Sequence, residues 1–234
     1  MNINEFIEEL NKIGITLTDK QLDELNTYKE FLKEYNSHTN LTTITEDNEI
    51  YLKHFYDSLT LAKYVDLSKV NNMLDIGTGA GFPGMVIKIV FPHIDMYLMD
   101  SNNKKLDFLT KLSEKLMLTN VHMLHVRAEE YAKDNRESFD LVTSRAVAAL
   151  PILTELALPL TKVGGYFIAM KGKEAEAEIN KSKKALIKLH AHIEKTQEVI
   201  LPTGEKRINI LIKKDEETPK KFPREYKEIK ANPL

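Results

Sequence analysis

Hydrophobic positions recur at helical spacing through the first quarter of the chain and then change period. Phe6, Leu10 and Ile13 fall at i, i+4 and i+7, and Leu22, Leu25, Phe31, Leu32 and Tyr35 gather on one side of a second helix. Thr18-Asp19-Lys20-Gln21 supplies its start, because a hydroxyl and an amide three residues apart satisfy each other's orphan backbone N–H groups. Leu52, Phe55, Leu59 and Ala62 predict a third helix. From Met73 onward short apolar runs alternate with amphipathic stretches, the pattern of βαβ units around a mostly parallel sheet. Strands are predicted at 73–76, 96–99, 121–126, 139–143 and 166–170, with helices near 84–91, 103–117, 149–160 and 174–189. Segments 192–201 and 206–213 flank Pro202-Thr203-Gly204 and read as a C-terminal antiparallel hairpin. The chain thus divides into an N-terminal helical extension (1–66), an α/β core (67–214) and a basic, irregular tail (215–234).

Composition narrows the chemistry. Cysteine is absent, which excludes disulfides, zinc–thiolate and iron–sulfur sites and a cysteine nucleophile. No apolar run approaches the roughly 20 residues of a membrane span. The start MNINEFIEEL is acidic and amphipathic, unlike a signal peptide, so a cytoplasmic protein is expected. A net charge of −2 argues against unspecific coating of nucleic acid. Charge is nevertheless uneven: residues 171–188 carry six Lys against three Glu. His122 and His125, three apart on a predicted strand, point to opposite faces, and no metal site is expected there.

The run Asp75 to Gly84, DIGTGAGFPG, carries the most chemistry. It reads as a strand ending in a glycine loop that opens a helix, with Gly77, Gly79 and Gly81 allowing a tight turn and close approach of a ligand. Two registers compete. Gly79-Ala80-Gly81-Phe82-Pro83-Gly84 fits the dinucleotide pattern GxGxxG, with Asp100 about where a ribose-binding acid stands. The other register, an acid inside the strand followed by Gly77-x-Gly79-x-Gly81, resembles the first motif of class I S-adenosylmethionine methyltransferases. Asp75 favours the second, since a buried carboxylate needs donors or a cation, and a methionine ammonium and sulfonium would serve. Acceptance of loop N–H groups would satisfy it equally. Asp100, the Arg127-Ala128-Glu129 run and Arg145 each follow a predicted strand at the edge where open α/β sheets bind ligands. Glu129 is placed to meet an adenine ring or, alternatively, to start a helix. His54 and Asp57, three apart on a helix, predict a buried hydrogen-bonded pair holding the extension to the core.

Further runs complete a pattern: NLT at Asn40 to Thr42, HFYDSL at His54 to Leu59, DSNNKKLDFL at Asp100 to Leu109, SRAVAAL at Ser144 to Leu150 and KG at Lys171-Gly172. Together they closely resemble the glucose-inhibited division protein B family of bacterial small-subunit ribosomal RNA guanine-N7 methyltransferases, nearly end to end. The resemblance implies an α/β, Rossmann-like class I methyltransferase fold with an N-terminal helical extension. It implies S-adenosylmethionine as cofactor, with contacts at Gly77, Phe82, Ala128, Glu129 and Arg145, and 16S rRNA or the small ribosomal subunit as partner. Phe222-Pro223-Arg224 is followed by Glu225-Tyr226-Lys227-Glu228, whereas family tails usually place a Gly and a Pro among basic residues, so RNA contacts do not transfer to the tail.

The chemistry is compatible. Guanine N7 offers an in-plane lone pair and no proton, so it attacks a methyl group without a general base. The Pro-Pro-aromatic loop typical of exocyclic amine methylation is missing after the fourth strand, where Ser144-Arg145-Ala146 stands. Positioning is then expected to dominate catalysis. The cofactor-binding candidates are Asp75, Gly77, Gly79, Phe82, Asp100, Ala128, Glu129 and Arg145. Arg145 is also the catalytic candidate, bridging cofactor and RNA. Arg127, Lys171 and Lys173, with Lys181, Lys183 and Lys184, are the RNA-binding candidates, and the protein is expected to act as a monomer.

Overall fold

The computed structural model describes Met1–Leu234. Helices α1 (Ile3–Lys12) and α2 (Asp19–Thr39) both begin in capping boxes; at the second, Gln21 N donates to Thr18 Oγ1 (3.2 Å) and Thr18 N to Gln21 Oε1 (3.0 Å). The third predicted helix is real but irregular. Helix α3 (Asp47–Glu49) opens into a π-helical stretch (Ile50–Tyr56), then α4 (Asp57–Leu59) and a 3-10 turn (Thr60–Lys63). Such widened turns concentrate at functional sites, and this one presents Lys53, His54 and Asp57 to a common partner.

The core alternates β1 (Asn72–Ile76), α5 (Gly84–Val90), β2 (Asp95–Met99), α6 (Asn103–Lys115), β3 (Val121–Leu124), α7 (Ala128–Tyr131), β4 (Phe139–Arg145), α8 (Leu150–Ala157), β5 (Thr161–Lys171) and α9 (Ala175–Lys188). Strands β6 (Ala191–Ile200) and β7 (Lys206–Lys214) follow, then α10 (Tyr226–Ala231). The seven strands lie in the order β3-β2-β1-β4-β5-β7-β6. Strands β1 to β5 are parallel, and β7 runs antiparallel between β5 and β6. Strand order reverses beside β1, between β2 and β4, which opens a crevice at the carboxyl ends of these strands.

Alternation along the strands separates two cores. Met73, Leu141 and Ile168 face a cluster shared with Phe6, Leu25, Phe55, Ile87 and Leu109, so residues 1–66 and helices α5 and α6 cover one side of the sheet together. Leu74, Val142 and Phe167 face the other cluster, with Leu153, Leu186, Phe222 and Ile229. The one-turn helix α7 fits the helix-starting alternative for Glu129, which stands in its first turn beside Glu130. The expectation for the tail needs correction. The tail is not irregular: Phe222, Tyr226 and Ile229 repeat the i, i+4, i+7 spacing of α1, and Phe222 and Ile229 are buried.

Candidate functional site: two clefts joined at Arg145

After β1 the chain crosses toward β2, where the Met99 carbonyl accepts from Gly77 N (2.8 Å) and Thr78 N (3.0 Å). Gly81 sits at φ +99°, and a Cβ there would lie 2.5 Å from the Tyr28 hydroxyl and 2.7 Å from Leu109, so packing demands this glycine. Gly79, at φ +60°, differs: a Cβ would meet nothing within 4 Å, because that side faces the crevice. Its N–H donates to Asp100 Oδ2 (2.9 Å), and Asp100 Oδ1 accepts from Asn102 N (2.9 Å), fixing the carboxylate at the end of β2.

Asp75 is placed otherwise than the cofactor-binding expectation. It is fully buried and lines neither cleft; Oδ2 accepts from Gly84 N (2.9 Å) at the start of α5, while Oδ1 has no partner. Burial pushes its carboxyl up to about 7, against the nearby Thr78 hydroxyl, the Gly84 N–H and the Arg145 charge, which favour ionisation. Its geometry is that of a loop-to-helix tether.

Arg145, at the end of β4, is the hub. Its NH1 donates to the Lys53 carbonyl (2.8 Å) and to Asp57 Oδ2 (3.1 Å), and NH2 meets His54 Nδ1 (3.2 Å). A guanidinium only donates, so Nδ1 accepts and Nε2 carries the proton toward Thr42 Oγ1 (3.0 Å). His54 and Asp57 are therefore buried, as expected, but bonded through Arg145 and not to each other. Burial and the neighbouring Arg145 charge push the imidazole down to about 3, so it stays neutral. The His54 ring stacks on Phe82 (4.1 Å, 10°), which stacks on Tyr28 (5.4 Å, 9°), and the guanidinium lies 5.2 Å from the Phe82 centroid. Four separated motifs, NLT, HFYDSL, the glycine loop and SRA, thus close one network.

Two clefts, each about 470 Å³, meet at this network and share His54, Arg145 and Ala146 as a wall. The first brings together Gly77, Gly79, Phe82, Asp100, Arg127, Ala128 and Glu129. Arg127 Nε donates to Glu129 Oε1 (2.8 Å), and Glu129 is buried. The second is lined by Lys53, Asp57, Lys171, Lys173, Arg207 and Asn209 among others. Asp57 Oδ1 and Asn209 Oδ1 are buried there without hydrogen-bond partners, and Arg207 Nε stands 3.9 Å from Asp57 Oδ1 as a second ion pair.

The RNA-binding candidates separate. Lys173 is exposed. Lys171 is largely buried; its ammonium bonds the Ala148 carbonyl (2.7 Å) and Glu178 Oε2 (2.8 Å), and the same carboxylate oxygen accepts from Leu150 N (2.6 Å). Lys181, Lys183 and Lys184 lie exposed on α9 and line neither cleft. His122 pairs with Asp95 (2.7 Å), and His125 meets the Ser101 carbonyl (3.1 Å). Lys53, Arg207, Asn209 and Tyr226 were not singled out; only the tail's helical spacing could have drawn attention to Tyr226.

No helix is long and apolar enough to cross a membrane. In fold, the chain is similar to a SAM dependent methyltransferase from Aquifex aeolicus (TM-score 0.57, 17% identity, 74% of this chain and 96% of that one). It is also similar to a fibrillarin pre-rRNA processing protein from Methanococcus jannaschii (TM-score 0.53, 16% identity, 68% and 76%). These likenesses show the class I methyltransferase fold. The chain is 50% identical to the ribosomal RNA small subunit methyltransferase G of Bacillus licheniformis over 227 residues, 96% of this chain and 95% of the relative. It is 45% identical to the protein of that name from Macrococcus caseolyticus over 236 residues, 100% and 99% of the two chains. Residues 21–208 match the family described as rRNA small subunit methyltransferase G, and the chain belongs to that family.

Proposed function

We propose that this chain transfers the methyl group of S-adenosylmethionine to N7 of a guanine in the 16S RNA of the small ribosomal subunit, in the cytoplasm and without a general base. The observation that carries the reading is the junction of two clefts at Arg145, one suited to the cofactor and one to a base.

The first cleft fits the cofactor by its donor set: the open backbone at Gly79, the fixed Asp100 carboxylate for ribose hydroxyls, and the buried Glu129 carboxylate. When bound, S-adenosylmethionine supplies an electrophilic methyl on a sulfonium. The chain's own part is to hold and orient. Gly79 allows close backbone approach, Gly77 and Ala128 line the cleft with the Cβ space at Gly77 taken by Val147, Phe82 closes the floor, and Asp75 acts indirectly by tethering the loop to α5.

The second cleft suits guanine. Recognition of N1–H and the N2 amino group, on the edge away from N7, is assigned to the Asp57 carboxylate, whose Oδ1 stands 3.9 Å from Arg207 Nε, and to the Asn209 amide on the same wall. Adenine offers there one amino group beside an acceptor. N7 needs no deprotonation, and the cleft-lining imidazole of His54 is held neutral with both nitrogens engaged. Arg145 positions the base against the cofactor. Lys173 is assigned to RNA phosphate; Lys171, already paired with Glu178, clamps the 146–150 loop, and Arg127 belongs to the cofactor cleft.

Labelled methyl transfer tests this. Small subunits from a strain lacking the family's enzyme are incubated with the protein and labelled S-adenosylmethionine, and N7-methylguanosine is mapped by chemical cleavage of the rRNA. One labelled guanine is expected; no transfer, or label on another atom, contradicts the reading.

A further inference from the structure

The tail, which lies beyond the 21–208 family match, reaches the cofactor cleft. Tyr226, the first residue of α10, lines that cleft together with Met99, Val126, Ala128, Glu129 and Leu156. This end of the cleft is largely apolar, with Met99, Ala128 and Leu156 all buried. Such a slot suits a flat heteroaromatic ring. The Arg127 guanidinium lies 4.2 Å from the Tyr226 centroid, while its Nε holds Glu129. The tail is firmly anchored. Arg224 gives the fully buried Glu155 three hydrogen bonds, from its backbone N (2.9 Å), Nε (2.9 Å) and NH2 (2.7 Å). Arg136 donates to the Phe222 carbonyl (2.6 Å) and to the Thr218 carbonyl (2.5 Å), and Ile229 is buried in the second core.

We infer that α10 is part of the cofactor site: Tyr226 forms the outer wall of the subsite for the adenine ring and, through Arg127, orders Glu129 beside it. The inference rests on the cofactor reading above. A loose basic tail would leave the adenine end of the cleft open on this side. The anchored helix makes the wall a fixed part of the fold, ready before any ligand arrives, so its contribution falls on affinity and not on the transfer step.

Calorimetric titration with S-adenosylhomocysteine and with 5′-methylthioadenosine, which keeps the adenosine half and lacks the amino acid, separates the possibilities. Tyr226→Ala is expected to weaken both ligands by a similar factor, about 10-fold. Tyr226→Phe is expected to stay within about twofold, because a phenyl ring preserves the stacking face. The chain contains no tryptophan, so Tyr226→Trp gives a single tryptophan whose emission, excited at about 295 nm apart from the tyrosines, is expected to shift as either ligand saturates. Wild-type affinity in Tyr226→Ala, a loss confined to S-adenosylhomocysteine, or an unchanged Tyr226→Trp emission at saturation overturns the inference while leaving the cofactor reading intact. Failure of the wild-type protein to bind S-adenosylhomocysteine overturns both.

Discussion

The two clefts that meet at Arg145 have equal volumes and different construction. The cofactor cleft draws on segments within a few positions of a strand end: a glycine loop after β1, Asp100 after β2, the Arg127–Glu129 run after β3. The second cleft is made by polar and charged side chains from separate parts of the chain, with Lys53 and Asp57 from the irregular third helix and Arg207 and Asn209 from β7. A backbone cradle serves a ligand with one fixed shape. Lysine and arginine side chains around a buried carboxylate and amide suit a base presented by a larger, negatively charged partner.

Arg145 offers the largest way to break this contrast, since it belongs to both clefts. Replacement by Met leaves the buried Asp57 carboxylate without its guanidinium, at a cost of about 3–5 kcal/mol in unfolding free energy. Where the variant remains folded, single-turnover methyl transfer is expected to fall by at least about 100-fold, with S-adenosylhomocysteine affinity changing far less. Equal transfer rates would mean that the clefts are not joined there.

The glycine loop sharpens the contrast within the cofactor cleft. Gly81→Ala combines positive φ with contacts under 3 Å to Tyr28 and Leu109, so chemical denaturation is expected to show a loss of about 2–4 kcal/mol. Gly79→Ala has room for its Cβ and is expected to cost about 1–2 kcal/mol, from φ alone. Its added methyl enters the cleft, however, and calorimetry should show the larger loss of S-adenosylhomocysteine affinity in this variant.

Asp75 separates loop stability from binding. Its carboxyl rises from 3.8 to about 7 on folding, so the native state holds the proton more tightly. That contribution is fully present below pH 3.8 and is lost as pH rises through about 7, a swing of order 4 kcal/mol. His54, lowered from 6.5 to about 3, acts in the opposite direction: its contribution is present above pH 6.5 and is lost as pH falls toward 3. Asp75→Asn keeps an oxygen for the Gly84 N–H, so its stability relative to wild type is expected to increase between about pH 4 and 7. Parallel denaturation profiles would contradict the buried-carboxyl assignment.

The smallest effect concerns the lysines. Lys173→Ala is expected to weaken small-subunit binding modestly and to reduce the slope of log affinity against log salt by about 1. Lys171→Ala should instead destabilise the 146–150 loop, seen as faster amide exchange at Leu150, because Glu178 loses its partner.

What the sequence disclosed follows the same division. Asp100 and the glycines follow β2 and β1, whose apolar runs end at the expected Met99 and Ile76, whereas β3, before Glu129, ends at Leu124 and not at 126. Asp75 illustrates the limit: a carboxylate in a buried strand was legible, but whether it faced ligand or the Gly84 N–H depended on how the loop closes. The Arg145–His54–Asp57 contact joins residues about ninety positions apart, and no periodicity records which of three neighbouring polar groups bonds which. Arg207 and Asn209 alternate with buried Ile208 and Ile210 along β7, so they read as an ordinary strand until β7 is placed beside β5. The tail's spacing is present but short, interrupted by Pro223, and outweighed by the basic residues that recur from Lys220 onward.

The centre of the account is that this site positions a base and carries no proton. The single-turnover rate of methyl transfer to small subunits, with cofactor and enzyme saturating, tests it most directly between about pH 6.5 and 8.5, where an essential base would normally titrate. A flat profile is expected, since Asp75 lines neither cleft and His54 stays neutral throughout. A bell-shaped profile, or a rate rising tenfold per pH unit with methyl transfer limiting, would contradict it.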